Sequence, residues 1–255
     1  MSLTNEERKK VLDLTIRAGA ILLQNGAEVF RAEQTMTHIA DGFALNDFNV
    51  YVLTNGIFAS AGTLQQAKVA NIPKRTVHLG RVASVNALSR EIAEGNISIK
   101  EAENKLEQIS KQPFCSNTVR IIASSLGSLF FCGLYGGGLW ECLVAAIAGL
   151  ILGIYLIFCE KRSMATLFNT LSGALVVSIV CMFIALFMPK LQANQAIIGA
   201  YMLLTPGVAL TMSIRDLMHS DYLSGLIRLL DALLVAAAIA AGTGLAVIIE
   251  KVIGV

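Results

Sequence analysis

Long apolar segments follow one another through the second half of the chain. Beyond residue 120, five runs contain no Lys, Arg, Asp or Glu: Ile121–Trp140, Cys142–Cys159, Ser163–Pro189, Leu191–Ile214 and Ala232–Ile249. Crossing the hydrocarbon core of a bilayer takes roughly 20 predominantly apolar residues, so each run is long enough to span it. The pattern therefore predicts five transmembrane helices within residues 116–255.

Residues 1–115 show the mixed periodicity of a small α+β domain. Apolar residues recur at helical spacing in four segments, which begin near Val11, Val29, Val85 and Ser98. Asn25-Gly26 predicts the end of the first helix, and Ser98 with Glu101 has the spacing of a capping box for the fourth. Between the second and third segments, residues 49–60 are rich in β-branched and aromatic side chains and predict a hairpin that turns at Asn55-Gly56. Residues 75–82 predict a third strand. The expected fold is a cytoplasmic α+β domain, residues 1–115, followed by an all-α membrane domain, residues 116–255.

The distribution of charge predicts the orientation in the membrane. Of the 38 Lys, Arg, Asp and Glu residues, 25 lie in residues 1–119. Placing that segment in the cytoplasm also places Lys161, Arg162 and the segment Arg215–Arg228 there, whereas the opposite side receives Lys190 and Lys251. Since Lys and Arg are retained in the cytoplasm, we expect a cytoplasmic N-terminus and a C-terminus outside.

The charge and the sequence motifs give no indication of nucleic-acid binding, ATP binding, metal binding or hydrolase chemistry. The net charge is +2, and no Lys/Arg block indicates binding to nucleic acid. The sequence contains no GxxxxGK[ST], GxSxG or HExxH motif, and its five cysteines show no CxxC spacing. We therefore expect no cofactor, no metal and no catalytic residues. Transport by this chain would depend on an ion or solute gradient rather than on ATP that it binds itself.

The fourth apolar run is interrupted near its centre by Pro206 and Gly207. Proline removes an amide donor and clashes with the preceding turn, so a helix breaks or kinks there. In the predicted orientation, the half-helix after Pro206 presents its partly positive N-terminal end near the membrane centre, where a solute carboxylate could be bound. Thr205 and Thr211 add hydroxyl groups. The alternative interpretation is a packing kink covered by a neighbouring helix.

Charged candidates lie in two places. On the second helix, Glu28 and Arg31 share a face with Thr35 and His38, which fits either a solute or gating site or an ordinary surface ion pair. At the start of the fifth run, Asp231 fits a coupling site or an ion pair with Arg228. Arg215 and Arg228 are the arginines expected to attract an anionic solute from the cytoplasm.

Three blocks of the sequence resemble the threonine/serine exporter family. They are Asn25–Glu33, Arg81–Ser98, and the region that contains Thr205-Pro206-Gly207, Arg215-Asp216-Leu217 and Asp221–Gly225. Their order, together with five apolar runs, is similar to the family pattern across nearly the whole chain. The resemblance implies export of small carboxylate metabolites: threonine and serine, or succinate-type dicarboxylates in members divided into two subunits. It singles out eight positions: Gly26, Glu28, Arg31, Pro206, Gly207, Arg215, Asp216 and Asp221.

The resemblance also implies partners. Single-chain members carry about ten spans, so five runs imply a smaller, membrane-embedded partner subunit that completes the transporter. The resemblance places both chains in the lipid bilayer of a bacterial inner membrane. Homo-oligomerisation is an alternative, since ridges of small residues such as Ala145, Gly149 and Gly153 favour close helix association. Two other functions stay open: an enzyme whose active site lies in the N-terminal domain, with the spans as an anchor, and a scaffold that transports nothing.

Overall fold

The computed structural model describes residues 3–62, 66–72, 76–162, 164–188 and 190–253. The chain forms two compact units. The N-terminal unit combines Met1–Phe114 with Thr211–Arg228, and the helical unit combines Cys115–Leu210 with Leu229–Val255. A segment from late in the chain therefore belongs to the same unit as the N-terminal domain.

Four helices of the N-terminal unit confirm the predicted ones: α1 (Asn5–Gln24), α2 (Val29–Gly42), α3 (Leu79–Ala93) and α4 (Ile99–Ser110). The predicted capping box at α4 is present, with the Ser98 hydroxyl accepting from the Glu101 amide and the Glu101 carboxylate accepting from the Ser98 amide. Helices α1 and α3 are followed by Gly26 and Gly95, whose φ angles of 92° and 72° favour glycine.

The unit also contains a three-stranded antiparallel sheet in the order β1-β2-β3. Its strands are β1 (Phe48–Leu53), β2 (Gly56–Ala61) and β3 (Gln66–Asn71). The predicted hairpin is confirmed, but Leu53 pairs with Gly56, so its loop is Thr54 and Asn55. Neither Asn55 nor Gly56 has the positive φ angle on which the prediction was based.

The strand predicted over residues 75–82 is wrong. Arg75 lies outside the described residues, and the rest of the segment leads into α3. His78 is the N-cap of that helix, because its ring nitrogen Nδ1 accepts from the Arg81 amide at 3.1 Å. A local cap thus outweighs the β propensity of Thr76 and Val77, and the third strand comes from Gln66–Asn71 instead.

Apolar side chains from the helices and the sheet form one core in this unit. Leu12, Leu22, Met36, Ile57 and Leu106 are almost fully buried. Helices α1 and α2 meet closely at Gly19, where a Cβ atom would lie 3.0 Å from Met36 Cγ. This core provides a rigid base for the residues between α1 and α2.

The described residues of the second half of the chain form helices joined by short turns and loops. Its helices are α5 (Asn117–Leu134), α6 (Leu139–Lys161), α7 (Thr166–Phe187), α8 (Ala193–Tyr201), α9 (Gly207–Met218) and α10 (Tyr222–Ile253). In the described part, four helices (α5, α6, α7 and α10) are long and apolar enough to cross a membrane. The predicted count of five is therefore not matched, because the fourth run is broken into α8 and α9.

Small residues allow close packing between helices of this unit. A Cβ atom at Gly149 on α6 would lie 2.6 Å from Ser128 Cβ and 2.8 Å from the Ser124 carbonyl oxygen on α5. On α10 the close approach occurs at Gly242, where a Cβ atom would lie 2.9 Å from Ala174 Cβ on α7. Gly244, which also lies on α10, faces open space.

A pair of identical substitutions tests this packing. Gly149→Ala should destabilise the protein, because overpacking costs about 1–3 kcal/mol and exceeds the helix-propensity gain of about 0.5–1 kcal/mol. Gly244→Ala should be neutral or stabilising. Thermal unfolding of the purified protein in detergent measures both. Equal unfolding midpoints for the two variants would contradict the close α5–α6 contact.

Candidate functional site

The ends of α9 and α10 form a tight helical hairpin in the N-terminal unit. The turn between them contains Ser220, which has a φ angle of 66°, and the Asp221 amide donates to the Asp216 carbonyl at 2.9 Å. Across the hairpin, the Ser213 hydroxyl donates to the Gly225 carbonyl at 2.7 Å. This packing requires glycine at 225, since a Cβ atom there would lie 2.7 Å from Leu217 Cγ.

A buried ion pair connects the two helices of the hairpin. Arg228 Nε lies 3.1 Å from Asp216 Oδ2, and the two side chains are 8% and 1% exposed. Arg228 also donates to the Ala27 carbonyl at 3.4 Å and to Met212 Sδ at 2.9 Å. Because Ala27 lies between α1 and α2, the same guanidinium attaches the hairpin to the N-terminal core.

Two further contacts join the hairpin to the start of α2. Arg215 forms an ion pair with Glu28, which lies 187 residues earlier in the chain. The ring of His219 stacks on that of Phe30, with centroids 4.7 Å apart and planes inclined by 28°. Glu28 is the N-cap residue of α2 without a side-chain capping bond, so its carboxylate is directed at arginine instead.

An open pocket of about 650 Å³ lies beside these contacts. Its lining includes Glu28, Thr211, Arg215 and His219, together with apolar side chains such as Ile214. It therefore combines one carboxylate, a guanidinium, an imidazole and a hydroxyl on an apolar wall. A zwitterionic or anionic small molecule could exchange with the Glu28–Arg215 pair in such a pocket.

Burial and neighbouring acids affect the carboxyl groups around the hairpin. Burial raises the pKa of Asp216, which lies beyond the uncharged fourth run, and Arg228 opposes that shift. The Asp221 and Glu28 carboxylates raise it further. Burial also raises the pKa of Glu33 on α2, with a smaller contribution from Asp221. The hairpin and α2 thus bring several carboxylates close together, and Arg228 offsets part of their effect on Asp216.

The break between α8 and α9 lies in the helical unit. Tyr201 ends α8, and its carbonyl accepts from both the amide and the hydroxyl of Thr205 at 3.0 Å. The Tyr201 hydroxyl lies 2.6 Å from the Thr243 hydroxyl of α10 and also contacts the Ser178 hydroxyl of α7. Gly207 begins α9, and a Cβ atom there would meet no atom within 4 Å. The break is held by side-chain hydrogen bonds beside an open position.

The structure divides the predicted site residues between the two units. Six of them lie in the N-terminal unit: Gly26, Glu28, Arg31, Thr211, Arg215 and Arg228. The Nε atom of Arg31 is 4.0 Å from Glu28 Oε2. Four lie in the helical unit: Thr205, Pro206, Gly207 and Asp231. In the N-terminal unit, Glu28, Thr211 and Arg215 line the pocket, whereas Gly26 lies in the turn after α1 and Arg228 is buried.

The structure adds a partner for one of the two arginines that the sequence interpretation did not include. Helical spacing predicted an ion pair of Arg228 with Asp231, which stays a prediction, and the structure shows an ion pair of Arg228 with Asp216 on α9. Arg215, with 53% of its side chain exposed, is the arginine accessible to solute. Periodicity gave no signal for Phe30, His219 or Tyr201, because their partners are distant in the sequence.

Comparisons with known proteins identify relatives of the whole chain. Residues 13–249 match the ThrE family, described as "Putative threonine/serine exporter". The "Probable threonine/serine exporter" of Mycobacterium tuberculosis is 24% identical over 240 residues, covering 92% of this chain and 45% of that protein. The "Threonine/serine exporter" of Corynebacterium glutamicum is 22% identical over 255 residues, covering 96% and 52%. The chain thus spans about half the length of these relatives. No solved structure gives a significant match.

The buried ion pair predicts a specific double-mutant result. Asp216→Asn should lower the free energy of unfolding by about 3–5 kcal/mol, because it leaves the Arg228 charge buried without its carboxylate. Asp216→Leu combined with Arg228→Met should recover most of that loss, since the charge and its partner are removed together. Chemical denaturation in detergent measures each variant.

The exposed Glu91–Lys105 pair provides the control for this cycle. Glu91→Gln should change the free energy of unfolding by less than about 1 kcal/mol. A double variant that is less stable than Asp216→Asn would show that the pair itself, rather than the isolated charge, determines stability.

Proposed function

The chain belongs to the threonine/serine exporter family, and we propose that it forms part of a secondary transporter that exports small carboxylate-bearing metabolites from the cytoplasm. It is a multi-pass membrane protein with several long apolar helices. Threonine and serine, the solutes in the names of both relatives, share a carboxylate with succinate-type dicarboxylates. The proposed substrate class is defined by that group.

The observation that carries this proposal is the break of the fourth apolar run into α8 and α9. Transporters commonly bind solutes where a helix is interrupted, because the helix end there supplies a partial charge. The N-terminal end of α9 at Gly207 is partly positive and suits a carboxylate. The open position at Gly207 leaves room for close approach to the backbone. Thr205 supplies an adjacent exposed hydroxyl.

We assign the pocket beside Glu28 and Arg215 to the cytoplasmic entrance of the same pathway. Both residues are charged and line one pocket with Thr211 and His219. A solute carboxylate could compete with Glu28 for Arg215, and the ammonium group of an amino acid could pair with Glu28. Helix α9 carries both Arg215 and Gly207, so the same helix contributes residues to the entrance and to the break. Arg228 and Asp216 would hold this helix in place.

We further propose that a second membrane-embedded chain completes the transporter in the bacterial inner membrane, with the N-terminus of this chain in the cytoplasm. The matched region accounts for about half of each relative, which supports a smaller partner chain that supplies the rest. The Lys and Arg distribution supports the orientation. An ion or solute gradient would drive export.

Efflux from preloaded cells tests the function. Cells loaded with labelled threonine, serine or succinate would express this chain alone, a candidate second chain alone, or both. We expect efflux when both are present, with each protein verified in the membrane fraction. Efflux from this chain alone would contradict the need for a second chain and support a homo-oligomer. Absence of efflux for all three solutes would contradict the transport proposal.

Replacing the proline at the break tests the proposed solute path. Pro206→Ala restores an amide donor and favours a continuous helix, so we expect efflux to fall roughly tenfold or more as the site geometry is lost. Pro113→Ala, which lies after α4, is the matched control and should leave efflux unchanged. Both variants should reach the membrane at wild-type levels. Equal efflux for the two variants would exclude the break from the solute path.

A further inference from the structure

A second polar cleft lies in the N-terminal unit, between α2 and α3. It has a volume of about 260 Å³, comparable to roughly nine water molecules. The residues that give it chemical character are Arg31, Thr35, His38, Asn86, Ser89 and Arg90. None of them lines the pocket beside Glu28 and Arg215. The α2–α3 cleft, as we call it, is therefore a separate site.

The charge of the α2–α3 cleft favours an anion. Two guanidinium groups, from Arg31 and Arg90, and the imidazole of His38 line it, and no carboxylate is among its lining residues. Within the described residues, Arg90 has no carboxylate at salt-bridge distance, and the nearby Glu91 is paired with Lys105. Guanidinium groups bind carboxylates through two parallel hydrogen bonds, which gives both strength and direction.

The floor of the cleft is fixed by hydrogen bonds between α2 and α3. The Thr35 hydroxyl lies 3.1 Å from Asn86 Oδ1 and 2.8 Å from the Arg31 carbonyl, and the Ser89 hydroxyl donates to the Asn86 carbonyl at 2.9 Å. Thr35 and Ser89 are 8% and 7% exposed. The contact with Thr35 fixes the Asn86 side chain through Oδ1. Its amide nitrogen can then donate to a ligand.

We propose that the α2–α3 cleft binds a small organic dianion, with one carboxylate on Arg31 and the other on Arg90. Asn86 and His38 provide further hydrogen bonds to the carboxylate oxygens. The cleft is built from α2 and α3 alone, so this proposal does not rest on the transport function proposed above.

Binding in the cleft is coupled to the pocket through Arg31. Its Nε atom lies 4.0 Å from Glu28 Oε2, so Glu28 competes with a ligand for the same guanidinium. Glu28 already pairs with Arg215, so a dianion that engages Arg31 leaves that carboxylate to Arg215 alone, and the effect is reciprocal because coupling between two sites acts equally in both directions. Occupancy of the cleft would thus strengthen the contact between α2 and the α9–α10 hairpin.

Calorimetric titration of the full-length protein in detergent tests the cleft. The probes are malonate, succinate and glutarate, with acetate as the single-carboxylate control and inorganic phosphate as a non-carboxylate anion. We expect at least one dicarboxylate to bind ten times more tightly than acetate or phosphate, since it engages both arginines. Equal affinity for phosphate, or no detectable binding of any dicarboxylate, would overturn the proposal.

Arginine variants locate the site. Arg90→Gln should weaken dicarboxylate binding at least tenfold, and Arg90→Lys should recover part of the affinity because it keeps the charge but not the paired geometry. Arg17→Gln is the matched control on the exposed face of α1 and should bind as the wild type does. Equal loss in the Arg17 and Arg90 variants would show non-specific attraction and refute the site.

The coupling has its own readout. Glu28→Gln removes the carboxylate that competes for Arg31, so we expect dicarboxylate binding to become a few-fold tighter. Unfolding in the presence and absence of ligand verifies that the variant is folded and that the ligand stabilises it. Unchanged or weaker binding in folded Glu28→Gln protein would refute the coupling through Arg31.

Discussion

The buried pair of Asp216 and Arg228 is the interaction on which the arrangement of the N-terminal unit depends. Arg228 holds α9 against α10 through Asp216 and holds both to the α1–α2 junction through the Ala27 carbonyl. A charge that is less than a tenth exposed is stable there only with its carboxylate in place. The Glu28–Arg215 and Phe30–His219 contacts can form because this pair has already placed the hairpin beside α2.

Features governed by neighbouring residues could be predicted from the sequence. The capping box of Ser98 and Glu101 and the stop at Gly26 depend on backbone geometry within a few residues, so their signals are local. The length of the apolar runs was also informative, because the thickness of a bilayer sets it. The prediction of a strand over residues 75–82 was wrong because the helix cap at His78 outweighs the β propensity of the residues around it.

The candidate site could be predicted only in part. Glu28 and Arg215 were each identifiable as unusual charges, but nothing in a periodic pattern brings residues 187 positions apart into contact. For Arg228, helical spacing favoured Asp231 on the same helix and gave no indication of Asp216, which the hairpin supplies from the neighbouring helix. In the sequence, Tyr201 is one residue of an apolar run with no sign of a special role. In the structure, its hydroxyl lies between those of Ser178 and Thr243.

The shortness of α9 has a consequence for the surrounding lipid. Twelve residues of helix extend about 18 Å, well short of the roughly 30 Å of a hydrocarbon core, so the proposed solute path through the fourth run requires irregular backbone at membrane depth. Lipid chains cannot hydrogen-bond to such backbone, which is tolerated where protein or water covers it. In the proposed path, residues 202–206, with Thr205 exposed, would therefore exclude acyl chains, and the bilayer around this chain would not be a continuous apolar ring.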